Sequence, residues 1–343
     1  MAFIVLFSLL SLIFGYDEAE IVFAGDAMMH QAQLDAAKHS DSSYDFSEYF
    51  EAVTPYIATA DYAVVNLETP ISNPPYSGYP CFNAPDSYLD ALSNAGFDLY
   101  LMANNHVLDR RDKGLKNTIA ALDQRNLNHI GAYTDTTHRT ISIPMVKTIN
   151  GIKVGFLNYT YGTNGFTPIC EVIVDYIDKD LIRRDVETSR LAGAEIIVAC
   201  VHWGVEYQMF PHPSQKSLAE YLRSLGIEVI IGGHPHVVQP MELTQDSSNN
   251  SFLMVYSLGN LISNMKTRDT RGGALLRLTL RREYDGKVRV ADVSYKLVYT
   301  EPANSAHNFR LVWADDSDDP RADAFANYAR KVLNEQNNNV REK

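Results

Sequence analysis

The chain has 343 residues, of which 45% are hydrophobic and 21% are charged, a composition that is typical of a folded globular protein and excludes a largely disordered one. Its 42 acidic residues outnumber its 30 basic residues, so that the formal net charge is −12. Because the sequence also lacks a run of basic residues, we expect no nucleic acid among its partners.

The first predicted element is an apolar segment at the N-terminus. The run AFIVLFSLLSLIF ends before the acidic residue Asp17. About 14 apolar residues match the core of a signal peptide and fall short of the ~20 that a transmembrane helix needs. We expect residues 1–19 to be a signal or anchor segment of an extracytoplasmic protein, secreted or membrane-associated. No Lys or Arg precedes the run, so a buried N-terminal segment and a misassigned start codon remain alternatives.

Five apolar runs predict β-strands, and each of them ends in polar side chains. In chain order the runs are 20–24, ending at Asp26; 62–65, ending at Glu68; 99–102, ending at Asn105 and His106; 196–201, ending at His202; and 227–231, ending at His234 and His236. Helical apolar spacing is found at 112–126, 178–191 and 213–225. Strands that alternate with helices indicate βαβ units.

Other segments indicate antiparallel strands. Asn150-Gly151 is a strong hairpin signal between 140–149 and 152–159. Strand patterns also cover 252–256, 273–280 and 288–298, before a last helix at 321–333 and a tail, 334–343, that we expect to be frayed. The sequence therefore predicts an α/β fold with mixed sheets flanked by helices.

The polar strand ends form a candidate metal site. Ligands bind beyond the carboxyl ends of the strands in open α/β sheets, and four of the ten histidines follow predicted strands. His234-Pro235-His236 alone could be a solvated loop, but four other strands end in the same way. Carboxylate, amide and imidazole ligands together suit Mn, Zn or Fe better than Ca or Mg. We predict one or two divalent ions, with hydrolysis as the chemistry, since two ions about 3.5 to 4 Å apart clamp the attacking and leaving oxygens.

Six motifs follow one another along the chain: GDAMMH at 25–30, VVNLETPIS at 64–72, MANNHVLDRRDKGL at 102–115, VHWGVEY at 201–207, IGGHPHVVQ at 231–239 and YSLGNLIS at 256–263. Together they resemble the bacterial CapA family, which is linked to poly-γ-glutamate capsule synthesis and is similar in fold to calcineurin-like metallophosphoesterases. The resemblance implies a calcineurin-like α/β sandwich over residues 20–300. Residues 301–343 would then be an extension whose final helix packs on the same domain.

The resemblance also implies a role for each strand-end residue. Asp26 and His236 would bind a first ion, His202 and His234 a second, Glu68 would stand in the bridging position, and Asn105 would be an amide ligand. His106 would protonate the leaving group or orient the transferred group, and Asp109 would orient the His106 imidazole. The implied partners are an anionic polymer or a phosphorylated small molecule, and a capsule synthase complex at the membrane.

Two substitutions depart from the phosphoesterase pattern. Met28 stands where a His ligand is usual, and Asn66-Leu67-Glu68 replaces the usual Gly-Asp-x-x-Asp segment. His30 either reaches back to the site or belongs to a following helix. Two functions therefore stay open: a metal-dependent hydrolase or transferase of the CapA type, and a non-catalytic assembly or export factor for an anionic poly-amino acid.

Several residues near these motifs allow both a structural and a functional interpretation. Trp203 and Tyr207 either pack over the loop after His202 or form a substrate wall, and Glu206 is a candidate partner for an imidazole. Asn260 is a candidate donor to substrate. The paired arginines at 110 and 111 are either surface charges or an anion clamp.

The three cysteines carry no redox or metal signal. Cys81, Cys170 and Cys200 have no Cys-x-x-Cys spacing. We interpret them mostly as buried thiols, with a disulfide between Cys81 and Cys170 as the alternative.

Overall fold

The computed structural model describes residues 17–343. The predicted signal or anchor segment lies outside the described residues except for residues 17–19. Of these, Glu18 and Ala19 already belong to the first strand, which begins before the predicted boundary. None of the helices in the described part of the chain combines the length and the apolar character that a membrane span requires.

The strands of the described residues form two large sheets and one small one. In chain order they are β1 (Glu18–Ala27), β2 (Tyr62–Leu67), β3 (Leu99–Leu101), β4 (Asn128–Ile130), β5 (Ala132–Tyr133), β6 (Met145–Ile149), β7 (Ile152–Thr160), β8 (Ile173–Val174), β9 (Ile196–His202), β10 (Val229–Gly233), β11 (Met241–Gln245), β12 (Ser251–Val255), β13 (Asn260–Ile262), β14 (Gly272–Arg282), β15 (Val288–Glu301), β16 (Arg310–Trp313) and β17 (Arg341–Glu342).

The helices lie mainly on the outer faces of the sheets. They are α1 (Gln31–Ala37), α2 (Thr54–Ile57), α3 (Asp86–Asn94), α4 (Arg111–Gln124), α5 (Thr136–Ser142), α6 (Lys179–Leu191), α7 (Pro213–Ser224) and α8 (Pro320–Gln336). The predicted helices at 112–126, 178–191, 213–225 and 321–333 correspond to α4, α6, α7 and α8. Their ends differ from the predictions by a few residues at most, as the fraying of helix ends leads one to expect.

Both large sheets combine parallel and antiparallel pairing. The nine-stranded sheet has the order β16-β15-β14-β1-β2-β3-β4, with β13 beside β1 and β17 beside β15. Strands β1 to β4 are parallel, whereas β14, β15 and β16 are antiparallel. The six-stranded sheet, β11-β12-β10-β9-β7-β6, is parallel in its centre and antiparallel at both edges. Strands β5 and β8 pair separately.

The core lies between the two large sheets. Buried Phe23 and Val64 of the first sheet pack in one cluster with Phe156 and Val198 of the second. Helices α3 and α4 cover the outer face of the first sheet, and α6 and α7 cover that of the second. The predicted α/β fold of mixed sheets flanked by helices is confirmed.

Two segment predictions are wrong. Residues 140–142 belong to α5 and not to a strand, because Asp135 caps this helix by accepting a hydrogen bond from the His138 amide, and β6 begins only at Met145. The tail is not frayed throughout, because β17 pairs with β15 and Arg330 donates two hydrogen bonds to Glu342.

The cysteines are free thiols. Cys200 is buried in β9, but Cys170 is exposed and Cys81 is only partly buried. The alternative disulfide between Cys81 and Cys170 is therefore not formed.

Candidate metal centre

The carboxyl ends of β1, β2, β9 and β10 meet at one edge of the sandwich. Asp26 of β1 is the register partner of Asn66 in β2, and His202 of β9 is the register partner of Gly233 in β10. The core that joins the two sheets brings these two pairs of strand ends together. The seven predicted strand-end side chains are all buried: Asp26, Glu68, Asn105, His106, His202, His234 and His236.

Five of these side chains form two groups of three that share Glu68. Asp26, Glu68 and His236 form one group, and Glu68, His202 and His234 form the other, with the ligand atoms of each group within 4.8 Å of one another. Asn105 joins the second group, since its Oδ1 lies 2.9 Å from His202 Nε2. This grouping places Glu68 between the two sets of ligands, as a bridging position requires.

Two buried atoms of these groups have no hydrogen-bond partner, Glu68 Oε1 and His234 Nδ1. The nearest imidazole nitrogens to Glu68 Oε1 are His202 Nε2 at 3.6 Å and His236 Nε2 at 3.8 Å. A buried polar atom without a partner costs roughly 1–3 kcal/mol. A divalent cation between these atoms would satisfy them, so the residues present fit a metal ion.

Burial and mutual charge set the protonation of the cluster. Burial first, and after it the charges of neighbouring imidazoles, lowers the pKa of His202 well below its usual range and that of His234 to about 3. Burial and the charge of Asp26 raise the pKa of Glu68. Burial opposes ionisation of Asp26, but the hydrogen bond from His236 holds its pKa below the usual range. Neutral imidazole is the form of histidine that binds metals.

The positive charge that this cluster lacks is not supplied by a basic side chain. Within residues 17–343, the ion pairs of Asp26 and Glu68 are with histidines and never with Lys or Arg. Buried carboxylates are normally paired or bound to a metal. The charge balance therefore also fits a cation.

Asn66 holds the two carboxylates, a role that the sequence did not reveal. Its Nδ2 donates to Asp26 Oδ1 at 2.7 Å and to Glu68 Oε2 at 3.1 Å, and its own Oδ1 accepts from Asn104 Nδ2 at 3.2 Å. The available signal was the spacing, because residues two apart on a strand point to the same face. Partners of this kind orient metal ligands.

The Gly-Gly-His-Pro-His turn needs its glycines and is strained at its histidines. A Cβ on Gly232 would lie 2.0 Å from the Tyr256 carbonyl oxygen, and one on Gly233 would lie 2.9 Å from Asp26 Oδ1. His234 and His236 adopt φ values of +98° and +58°, which residues other than glycine rarely adopt. Strain of this kind is concentrated at functional sites.

His236 is oriented by two acceptors on one side of its ring. Its Nδ1 lies 3.0 Å from Asn260 Oδ1 and 3.2 Å from Asp26 Oδ2, so Nε2 is the nitrogen left for a metal. Asn260 Nδ2 donates to the Thr270 carbonyl at 2.9 Å. Both the oxygen and the nitrogen of the Asn260 amide are therefore hydrogen-bonded within the protein. The expectation that Asn260 donates to substrate is wrong.

His106 and Asp109 form a second buried unit beside the metal ligands. His106 Nδ1 lies 2.7 Å from Asp109 Oδ2, which also accepts from the Phe82 amide at 2.7 Å. Asn164, which sequence analysis missed because it lies in an unpatterned loop, accepts from Asn105 Nδ2 at 3.2 Å and has its own Nδ2 3.5 Å from His106 Nδ1. It thus connects this unit to the amide of Asn105.

Other candidates have structural roles. His30 caps α1, accepts from the Asn264 amide through Nδ1 and belongs to neither ligand group. Trp203 is buried and donates to the Tyr256 carbonyl. Arg111 stacks on Phe166 at 3.6 Å, which favours the structural interpretation of this arginine.

Comparisons with known proteins agree with the fold and with the motifs. The model of the bacterial capsule synthesis protein PGA_cap matches residues 20–265. The capsule biosynthesis protein CapA of Bacillus anthracis is 25% identical over 309 residues, 84% of this chain and 71% of the relative. The PGA biosynthesis protein CapA of Bacillus subtilis is 26% identical over 289 residues, 79% of this chain and 70% of the relative.

A solved structure, the NAD nucleotidase of Haemophilus influenzae, superposes with a TM-score of 0.50 and 12% identity, over 96% of this chain and 64% of the nucleotidase. The chain therefore spans less than two thirds of that protein. At this identity the likeness concerns the fold alone, and it confirms the calcineurin-like metallophosphoesterase sandwich.

Proposed function

The chain belongs to the bacterial capsule synthesis protein family PGA_cap, and from this premise we propose that it is a metal-dependent hydrolase or transferase acting in the synthesis or processing of a capsular poly-γ-glutamate-like polymer. The observation that carries the proposal is the buried pair of ligand groups sharing Glu68, with Glu68 Oε1 and His234 Nδ1 left without partners. The names of the relatives, which refer to capsule and PGA biosynthesis, support the pathway.

The cofactor in this proposal is one or two divalent ions, Mn, Zn or Fe. One ion would be held by Asp26, Glu68 and His236, and the other by Glu68, His202 and His234 with Asn105. Such ions supply Lewis-acid polarisation of the scissile group and activation of water. The donor set of carboxylate, imidazole and amide suits these metals.

His106 is the proton donor to the leaving group in this proposal. Asp109 accepts from Nδ1 and so fixes the ring, which leaves Nε2 as the nitrogen that would face the leaving group. A short hydrogen bond from the Phe82 backbone amide to the same carboxylate oxygen keeps Asp109 in place. Burial of both side chains keeps water from competing for the proton.

The substrate of this proposal is an anionic polymer or a phosphorylated small molecule. The net charge of −12 repels polyanions at long range, so the anion has to be held locally at the metal centre. A capsule synthase complex at the membrane is the proposed partner. An extracytoplasmic location, secreted or membrane-associated through residues 1–19, is part of the same proposal.

A second candidate function is a non-catalytic assembly or export factor for an anionic poly-amino acid. It is favoured by Met28, a buried thioether side chain at the position where the fold usually has a His ligand. Loss of this ligand would weaken the binding of the first ion, on which the proposed turnover depends.

Two measurements separate these functions. Metal-replete full-length protein is assayed against phosphoesters and γ-glutamyl peptides, and polymer output is measured in cells that carry His106→Asn or no copy of the gene. The proposed enzyme turns over one substrate class, and His106→Asn reduces polymer output. Absence of turnover, together with normal output from His106→Asn and loss of output without the gene, contradicts the enzyme and leaves the assembly factor.

A further inference from the structure

The loop that follows β9 is hydrogen-bonded to the His234-Pro235-His236 turn. The Trp203 amide donates to the Gly233 carbonyl at 3.1 Å, and the Tyr207 amide donates to the Pro235 carbonyl at 2.9 Å. These two hydrogen bonds enclose the segment that carries Glu206. The loop therefore lies directly against the turn that presents two of the candidate metal ligands.

The backbone of this loop is specialised. Tyr207 adopts φ of +66°, a conformation that a bulky side chain adopts only at a cost. Gly204 has φ of +93°, and a Cβ there would lie 2.7 Å from the Gln215 side chain. Although the loop is exposed, it packs closely against Gln215 and has a defined backbone conformation. Glu206 therefore has a defined position.

Glu206 lies within ligand distance of both histidines of the turn. A carboxylate oxygen of Glu206 and one ring nitrogen each of His234 and His236 are within 4.8 Å of one another. Independently of this geometry, His234 Nδ1 is buried and has no hydrogen-bond partner. A buried nitrogen without a partner beside an exposed carboxylate is an arrangement that a cation completes.

The charge of Glu206 raises the pKa values of two tyrosines that lie near the candidate ligands. Burial, and after it the Glu206 carboxylate, raises the pKa of both Tyr161 and Tyr207 to about 12. The Glu206 carboxylate therefore places a negative charge beside the turn that carries His234 and His236.

The first ligand group leaves room for another donor. Asp26, Glu68 and His236 offer three protein ligands, and a tetrahedral ion takes a fourth ligand from the protein, water or substrate. Met28, two residues after Asp26, is buried but carries no carboxylate or imidazole. The exposed Glu206 carboxylate lies within 4.8 Å of a ring nitrogen of His236 and would supply that donor.

We propose that Glu206 would be an additional ligand of the metal centre, supplied by the exposed loop after His202. This inference rests on the proposed function, because it requires a bound ion. It goes beyond that proposal by giving the exposed loop after His202 a part in metal binding.

The test is a Co²⁺ titration of metal-free, full-length protein, followed by its visible absorption. Wild type is compared with Glu206→Gln, and Glu220→Gln on α7 is the matched control, since Glu220 is also exposed and belongs to no ligand group. Glu206→Gln is expected to weaken Co²⁺ binding by about 10-fold or more and to change the absorption bands, while Glu220→Gln changes neither. Thermal unfolding without metal checks that the variants fold.

Each outcome is decisive. If wild type binds Co²⁺ and Glu206→Gln has the same affinity and spectrum, this inference is overturned while the proposed function stands. If wild type binds no Co²⁺ at all, the proposed function and this inference are overturned together. Equal weakening in Glu206→Gln and Glu220→Gln also overturns the inference, because the effect would then be one of general surface charge.

Discussion

Glu68 Oε1 lies 3.6 Å from His202 Nε2, although both atoms are buried and no hydrogen bond joins them. Two ligands bound at about 2.1 Å to one tetrahedral ion are about 3.4 Å apart. The separation is therefore close to that of two ligands of a common cation and longer than a good hydrogen bond. This relationship supports the candidate metal centre.

Replacement of Glu68 by Gln should have opposite effects with and without metal. The metal-free protein should be stabilised by about 1 kcal/mol, because a neutral amide replaces a buried carboxyl group whose ionisation is opposed by burial and by the charge of Asp26. Metal affinity should fall on the order of 100-fold. Urea unfolding in chelator and titration calorimetry with Mn²⁺ measure the two effects. A clear loss of metal-free stability with unchanged affinity would argue for a purely structural role.

Replacement of Asn66 by Ala should destabilise the protein and loosen the metal ligands. It removes the donor to Asp26 and Glu68, at a cost of about 1–3 kcal/mol. Asn83→Ala is the matched control, since Asn83 is also buried and donates two hydrogen bonds, but to backbone carbonyls. Both variants should unfold at lower urea, and Asn66→Ala alone should bind Mn²⁺ about 10-fold more weakly. Equal affinities of the two variants would contradict the role of Asn66.

Replacement of His106 by Asn should reduce kcat by about 10²- to 10⁴-fold, the usual contribution of a proton donor. The bound metal per chain should not change, because His106 belongs to neither ligand group. His129→Asn is the control, since His129 is another buried histidine, 3.0 Å from an aspartate, on β4. Steady-state kinetics on the substrate identified by the activity screen measure the change. Unaltered kcat in His106→Asn would remove this residue from the chemistry.

Asp175 should make stability fall as pH rises. It lies in a buried group with Arg139, whose Nε is 2.6 Å from Asp175 Oδ1. Burial raises the pKa of Asp175 to about 6, against the opposing effect of Arg139. The folded state then binds more protons than the unfolded state between about pH 4 and 6. This contribution is complete below about pH 4 and is lost by about pH 6.

The size of the Asp175 effect is about 3 kcal/mol, since each pKa unit corresponds to about 1.4 kcal/mol. The free energy of unfolding in urea, measured from pH 4 to 7 in chelator, should lose this slope in Asp175→Asn. The comparison between the two proteins cancels the other titrating groups. Parallel curves would contradict the assignment to Asp175.

The strand ends could be predicted from the sequence because two simple rules determine them. Asp26 and His202 each follow an apolar run, and the carboxyl ends of parallel strands share an edge. The hairpin signal at Asn150-Gly151 adds the antiparallel strands and so predicts mixed sheets. These rules did not predict that residues 140–142 are helical. They belong to α5, which depends on the cap at Asp135, and a local hydrogen bond of this kind produces no periodic pattern in the sequence.

The residues that hold the ligands could not be predicted in this way. Asn66 and Asn164 act through hydrogen bonds to side chains far away along the chain. Asn260 was expected to face substrate, but its distant partners engage its whole amide. Apart from the two-residue spacing of Asn66 and Glu68, such roles depend on the tertiary arrangement and leave no pattern in neighbouring residues.

The most direct test of the metal centre is the number of ions bound per chain. Full-length protein is dialysed against Mn²⁺ or Zn²⁺ and analysed by inductively coupled plasma mass spectrometry, with Asp26→Asn and His234→Ala as variants. We expect one or two ions per wild-type chain, and fewer in both variants. Wild-type protein that holds no ion after dialysis against either metal would contradict the account.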